Sequence, residues 1–324
     1  MGAPVPVEEC IIYIALKMKI LFYGNCQTSK LSTSCLFESF EKQTIQCFDT
    51  DITQNTYTSI IKEADVIITQ PIKSDYRDKT YLGTDYIYKH RRGDSKLIII
   101  PSIFGGVYFP DATYMENKSN SLIHIPSDYH YLNLIKYYIN QKTPTEFYDE
   151  IVNNSDYIAT DELLSHIDNT VNILHTKEKT SSETYPEAEF ITVSGYITSN
   201  WRDKLLFDTM NHPTHHIYNF ILKHIVALGI VNTTREIKNN KHFFPNHRQS
   251  NRSLMYKSVK DQVDFDTSSY TPRINDIDTP TLQLIELYFK TYNEHGVDFE
   301  TFNYRLNNLH IEIAAYSIDY KYNI

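Results

Sequence analysis

Met18-Lys-Ile-Leu-Phe-Tyr-Gly-Asn-Cys-Gln-Thr-Ser29 is the stretch that decides the fold. Ile20 to Tyr23 is an apolar run of strand length, Gly24-Asn25 is a turn, and a helix-compatible segment runs from about Gln27 to Lys42. A strand, a tight turn and a helix in that order lift one side chain, Cys26, above the carboxyl edge of a sheet. There the free N–H groups of the helix's first turn face whatever binds. A thiol in that position is expected to ionise more easily than usual, because the positive end of the helix favours the thiolate. The bland alternative is that Cys26 is a small hydrophobe buried in a turn.

The same pattern repeats downstream. Thr44 to Phe48 reads as a second strand and Asn55 to Glu63 as a short helix. Asp65 to Pro71 reads as a third strand, Thr80 to Arg92 as a helix stopped by Gly93, Lys96 to Ser102 as a fourth strand, and Ser121 to Ile125 as a fifth. Continuous apolar strands alternating with helices indicate an open, doubly wound, mainly parallel sheet covered on both faces. In such a sheet ligands bind beyond the carboxyl ends of the strands. Here those ends carry Asn25-Cys26-Gln27, Thr69-Gln70 and Ser102.

From Tyr129 the chain is largely helical. Helices are expected over Tyr129 to Gln141, from Pro144 to about Asn153, over Thr160 to Lys179, from Pro213 to Gly229 and over Thr279 to Tyr292. Ser181 to Glu189 reads as a loop. Residues 232–275, with His242, His247, Arg248, Arg252 and Arg273, read as a long irregular flap, and the tail is expected to pack through Phe299, Phe302, Leu306 and Leu309. Residues 1–17 read as an N-terminal extension, native or not. Residues 18–230 read as the α/β domain, and 231–324 as a flap and C-terminal helices packed on it.

Composition narrows the function. A net charge of −9 over 324 residues argues against nucleic-acid binding through the general surface. No apolar run approaches the roughly 20 residues that span a bilayer. The four cysteines, Cys10, Cys26, Cys35 and Cys47, form no CxxC pair, so reduced thiols in a cytoplasmic setting are expected, with no metal site. No phosphate-binding glycine loop is present. The 26 tyrosines read as compositional bias with no chemistry assigned to them.

Among the 13 histidines, His212 sits at a loop-to-helix junction and suits proton transfer to or from Cys26. Asn25 and Gln27 either stabilise an oxyanion or simply shape the turn. Gln70 and Ser102 either complete a polar pocket or cap their strands. His90-Arg91-Arg92 with Arg77 and Lys73, and Arg248 with Arg252, either hold phosphates or are solvated surface.

Taken together, Gly24-Asn-Cys-Gln27, Thr69-Gln-Pro71, Ile100-Pro-Ser102 and Trp201-Arg202 leading to Met210-Asn-His-Pro-Thr214 resemble the WcbI-type family of polysaccharide-biosynthesis acetyltransferases, itself similar to SGNH/GDSL hydrolases. The resemblance covers about Met18 to Gly229. It implies a three-layer sandwich, coenzyme A or acetyl-CoA as donor, and a sugar or nucleotide-sugar acceptor, with oligomeric state left open. It implies Cys26, His212, Asn25, Gln27 and Asp208 as catalytic residues, and Gln27, Gln70, Arg77, Ser102, Arg202 and Asn211 as coenzyme A contacts. In SGNH enzymes an acid stands three residues before the histidine. Here that position is Thr209, so Asp208 or a backbone carbonyl would have to orient the ring. A carbohydrate esterase and a non-catalytic glycan- or nucleotide-binding module are the alternatives.

Overall fold

The computed structural model describes residues 17–49, 51–117, 119, 121–231, 243 and 249–303. Residues 1–16 of the N-terminal extension, Cys10 among them, residues His242, His247 and Arg248 of the expected flap, and Leu306 and Leu309 of the tail lie outside the described residues.

Five parallel strands form the central sheet. They are β1 (Lys19–Gly24), β2 (Glu41–Gln46), β3 (Val66–Thr69), β4 (Lys96–Ile99) and, much later in the chain, β7 (Glu189–Phe190). Their order is β2-β1-β3-β4-β7, with every neighbouring pair parallel. Successive residues of a strand face opposite sides, and both sides here are apolar. Ile20, Phe22, Val66, Ile68 and Ile98 enter one core, and Leu21, Tyr23, Ile67, Leu97 and Ile99 enter the other. Helices α2 (Gln54–Glu63) and α3 (Thr84–His90) cover the second face through Tyr57, Ile61 and Ile87. Helix α1 (Cys26–Ser32) covers the first, together with α4 (Leu132–Ile139), α5 (Pro144–Phe147), α6 (Thr160–Thr184), α7 (Ser194–Asn200) and α8 (His215–Ala227). The doubly wound, three-layer arrangement expected from the sequence is therefore present.

Several elements differ from expectation. Helix α1 ends at Ser32 instead of Lys42, and a short 3-10 turn at Cys35–Phe37 leads into β2. β2 begins three residues earlier and ends two earlier than expected, and it is polar and mostly exposed, which an edge strand with a single neighbour tolerates. Ser121 to Ile125 is not a strand of the sheet; only an isolated bridge joins Leu122 to Glu116. The fifth strand is Glu189–Phe190, inside and just past the expected loop, registered on Ile98 and Ile99. Residues 130–131 form a two-residue strand, β6, paired with β5 (Ala112–Thr113), so the helix expected from Tyr129 begins at Leu132. Helix α6 runs on to Thr184.

Pro213 lies in a two-residue strand, β9 (His212–Pro213), and Thr214 caps α8. The described residues of the expected flap, 243 and 249–275, are packed into the first-face core through Phe243, Leu254, Met255, Tyr256, Val259 and Tyr270. Helix α9 (Lys257–Lys260) lies in it, and α10 (Thr281–Glu294) follows a small hairpin of β10 (Arg273–Ile274) and β11 (Ile277–Asp278). No described helix is long and apolar enough to cross a membrane.

Candidate active site

The chain leaves β1 toward α1 on one face and leaves β3 toward α3 on the other. Between those two carboxyl ends lies the crevice where a doubly wound sheet binds ligands. Cys26 is at the end of β1 and Gln70 at the end of β3.

Asn25 caps α1, its Oδ1 accepting the Gln27 N–H at 2.9 Å. Its own N–H donates to Gln70 Oε1 at 2.8 Å, and its Nδ2 donates to Ser102 Oγ at 3.3 Å. Gly24 makes this approach feasible. A Cβ there would stand 2.5 Å from Gln70 Oε1 and 2.9 Å from Thr28 Oγ1. Gly24→Ala should therefore destabilise the protein by about 1–3 kcal/mol and open the Asn25–Gln70 bond. Urea unfolding of the variant checks this, and an unchanged midpoint would contradict the packing.

His212 comes from the hairpin of β8 (Phe207–Thr209) and β9, whose register sets Thr209 opposite His212 across a turn at Met210-Asn211. His212 Nε2 lies 3.5 Å from Cys26 Sγ, joining residues 186 positions apart. Its Nδ1 lies 2.9 Å from Tyr129 Oη and 3.0 Å from Thr209 Oγ1. Burial holds His212 down, to about 4, so the imidazole is neutral at neutral pH. Burial also pushes the Cys26 thiol up, with the N–H groups of Cys26 and Gln27 pulling the other way. The expected low-pKa thiol is thus corrected. A seven-residue helix start does not outweigh desolvation, and the pair rests as thiol and neutral imidazole.

Two further roles change. Asp208 does not orient His212; its buried carboxylate pairs with Arg252 Nε at 3.0 Å. Neighbouring residues in a strand point to opposite sides, so the residue that meets His212 is Thr209 and not Asp208. Gln27 is not free to hold an oxyanion. Its Nε2 donates to Ile103 O at 2.6 Å and Asn211 O at 2.8 Å, while its Oε1 accepts from Gln70 Nε2 and the Ile103 N–H, both at 3.0 Å. Gln70 is equally committed, its Nε2 also reaching Pro101 O at 3.3 Å. Both glutamines are buried positioning residues that tie the ends of β1, β3 and β4 to the His212 turn.

Ser102 remains exposed beside Asn25. Arg77 is exposed on the same edge, donating to Phe48 O at 3.2 Å. Arg202 lies over the Trp201 ring, 4.9 Å from its centroid, and its carbonyl takes the N–H groups of Asp264 and Phe265; none of these contacts is with the Cys26–His212 group. The Arg91-Arg92 cluster is engaged in ion pairs with Glu187, Asp65 and Asp94. Asn211 joins the site through both its carbonyl and its side chain, which meets Tyr129, Thr209 and Tyr114. Tyr129 and Tyr114 were invisible in the sequence among so many tyrosines. Thr209 carried a signal in its position three residues before the histidine.

The profile of the family described as polysaccharide biosynthesis enzyme WcbI matches residues 19–231 of the chain. No curated protein shows significant similarity. A solved structure of WcbI, described as a novel polysaccharide biosynthesis enzyme in a native form without a disulfide bond between coenzyme A and one of its cysteines, superimposes with a TM-score of 0.72. That likeness covers 93% of this chain and 97% of the other at 16% identity, and so bears on the fold.

Proposed function

The chain belongs to the WcbI family of polysaccharide biosynthesis enzymes, and from that premise we propose that it transfers an acetyl group from acetyl-CoA to a hydroxyl or amine of a sugar. The observation that carries the reading is the contact of Cys26 Sγ with His212 Nε2 at 3.5 Å in the β1/β3 crevice. A nucleophile needs a base within hydrogen-bond reach, and neither group is ionised beforehand, so the proton has to move within the pair. The donor is supported by the description of the WcbI structure, which names coenzyme A and a cysteine as the two ends of a disulfide that this native form lacks.

In the proposed course Nε2 takes the thiol proton as Sγ attacks the thioester carbonyl. The Sγ–C bond forms, the C–S bond of acetyl-CoA breaks, and the imidazolium returns the proton to the departing CoA thiolate. The acceptor then gives a proton to Nε2 and attacks the acetyl carbon, and the Cys26 thiolate leaves and is reprotonated. Asn25 Nδ2, whose acceptor Ser102 Oγ is a distant 3.3 Å away, and the Cys26 N–H are the donors proposed for the oxyanion. Arg77 and Ser102 on the same edge are the proposed contacts for the donor.

Two measurements test this. Calorimetry should show CoA and acetyl-CoA binding in the micromolar range. Incubation with acetyl-CoA and no acceptor should add the mass of one acetyl group to the Cys26 peptide, and Cys26→Ala should abolish it. Acceptor acetylation that persists in Cys26→Ala would replace the covalent route by direct attack with His212 as base. A folded protein that binds neither compound would end the reading.

A further inference from the structure

The hydrogens around His212 can be assigned from the heavy atoms that surround it. The Asn211 side chain donates from Nδ2 to Tyr114 Oη at 2.7 Å. Its Oδ1 can only accept, and it takes Tyr129 Oη at 2.7 Å and Thr209 Oγ1 at 3.2 Å. Each hydroxyl has one proton, and both protons are then directed at Asn211. The oxygens of Tyr129 and Thr209 still face His212 Nδ1, at 2.9 and 3.0 Å. With both protons so placed, the hydrogen for those contacts is the one on Nδ1. Nε2 is therefore a bare lone pair, and it faces the Cys26 thiol.

We infer that Tyr129 and Thr209 are positioning residues that take the place of a triad acid, holding His212 in the Nδ1–H tautomer with two neutral hydroxyl oxygens while Asn211 keeps those hydroxyls turned the right way. The surroundings suit a neutral device. Thr209 is fully buried and Tyr129 nearly so, and an unpaired carboxylate there would be costly. Asp208, the nearest carboxylate in sequence, is already engaged with Arg252. Asn211 is held in turn by Gln27, which bonds its carbonyl, and the Tyr129 N–H is held by Ser127 Oγ at 3.1 Å. A hydroxyl pair orients the ring without the charge that would stabilise an imidazolium, so His212 remains a weak, neutral base, as its burial also dictates.

The assignment rests on the acetyl-transfer reading only in its kinetic arm, so the two can fail separately. Long-range proton–nitrogen correlation NMR on the full chain with 15N-labelled histidine reads the tautomer directly, without substrate. His212 is expected as the Nδ1–H form in the wild type, and Tyr129→Phe/Thr209→Val is expected to lose that preference. With acetyl-CoA and an acceptor, Tyr129→Phe should lower kcat about tenfold, near the lower end of what general-base catalysis contributes, with KM for acetyl-CoA unchanged, and Thr209→Ser should behave as wild type. An Nε2–H tautomer in the wild type, or a double variant whose tautomer does not change, would overturn the inference. The wild-type spectrum decides even if the double variant does not fold.

Discussion

His212→Gln is expected to lower acetyl transfer by about a thousandfold, within the range that a positioned general base contributes, while leaving CoA affinity within a factor of two. Glutamine is close in size and polar, but it cannot take the thiol proton that Nε2 faces at 3.5 Å. Because the thiol sits above its ordinary value and the imidazole below its own, no thiolate waits in the resting site to compensate. The same shift fixes the pH dependence. The folded His212 titrates at about 4 against an ordinary 6.5, so the folded state excludes a proton that the unfolded chain binds between those values. The stability contributed by the neutral ring is complete above pH 6.5 and is lost as the pH falls through 6.5 toward about 4. On the acid side, kcat/KM should hold its plateau below pH 6 and fall only near 4. A limb centred at 6.5 would mean that His212 is solvated in the free protein. A His212→Gln variant with near-normal turnover would remove histidine from the reaction altogether.

The framework was legible where local signals and global fold agree. Ile20 to Tyr23, Val66 to Thr69 and Lys96 to Ile99 are buried central strands, so their apolar runs are unbroken and bounded by turn residues. The edges were less so. β2 was expected as a strand, but its polar first half, Glu41 to Gln43, hid its start, and β7 contributes two residues whose strand character exists only through pairing with β4. Residues 249–275 look like loop because they are mostly irregular, yet Tyr256 and Tyr270 bury their rings in the core. At the site, Cys26 and His212 announced themselves by chemistry and by the elements they punctuate. The groups that set their geometry did not. Tyr129 reaches His212 only because β6 pairs with β5 and delivers the residue just before β6, a contact across 83 positions that no spacing encodes. Asp208 was misread as a partner for the opposite reason. It is the right residue type one position out of register, and in a strand one position is the other face.

Gln27→Glu should be the most damaging isosteric change near the site, and worse than Gln27→Ala. The Gln27 side chain makes four hydrogen bonds to three separate segments, and it is 1% exposed. Alanine strands Ile103 O, Asn211 O, the Ile103 N–H and Gln70 Nε2, but it leaves room for water to meet some of them. A buried donor or acceptor left unpaired costs about 1–3 kcal/mol, so a loss of about 4 kcal/mol is expected for alanine. Glutamate keeps the shape and reverses the chemistry, because an oxygen replaces Nε2 and faces two carbonyl oxygens that were 2.6 and 2.8 Å from a donor. Protonation is the only relief, since a carboxylic acid can donate to one of those carbonyls. The folded pKa of the new group is therefore raised above its unfolded value. A raised acid favours folding below its unfolded pKa and loses that contribution as the pH climbs through the folded value. Gln27→Glu should accordingly be less stable than Gln27→Ala at pH 8 and recover toward it at pH 5, as read by urea midpoints at the two values. If the glutamate variant matched the wild type at pH 8, the loop carrying Ile103 and the turn carrying Asn211 would not be held through this side chain. The spacing of Cys26 and His212 would then have to be set by the hairpin alone.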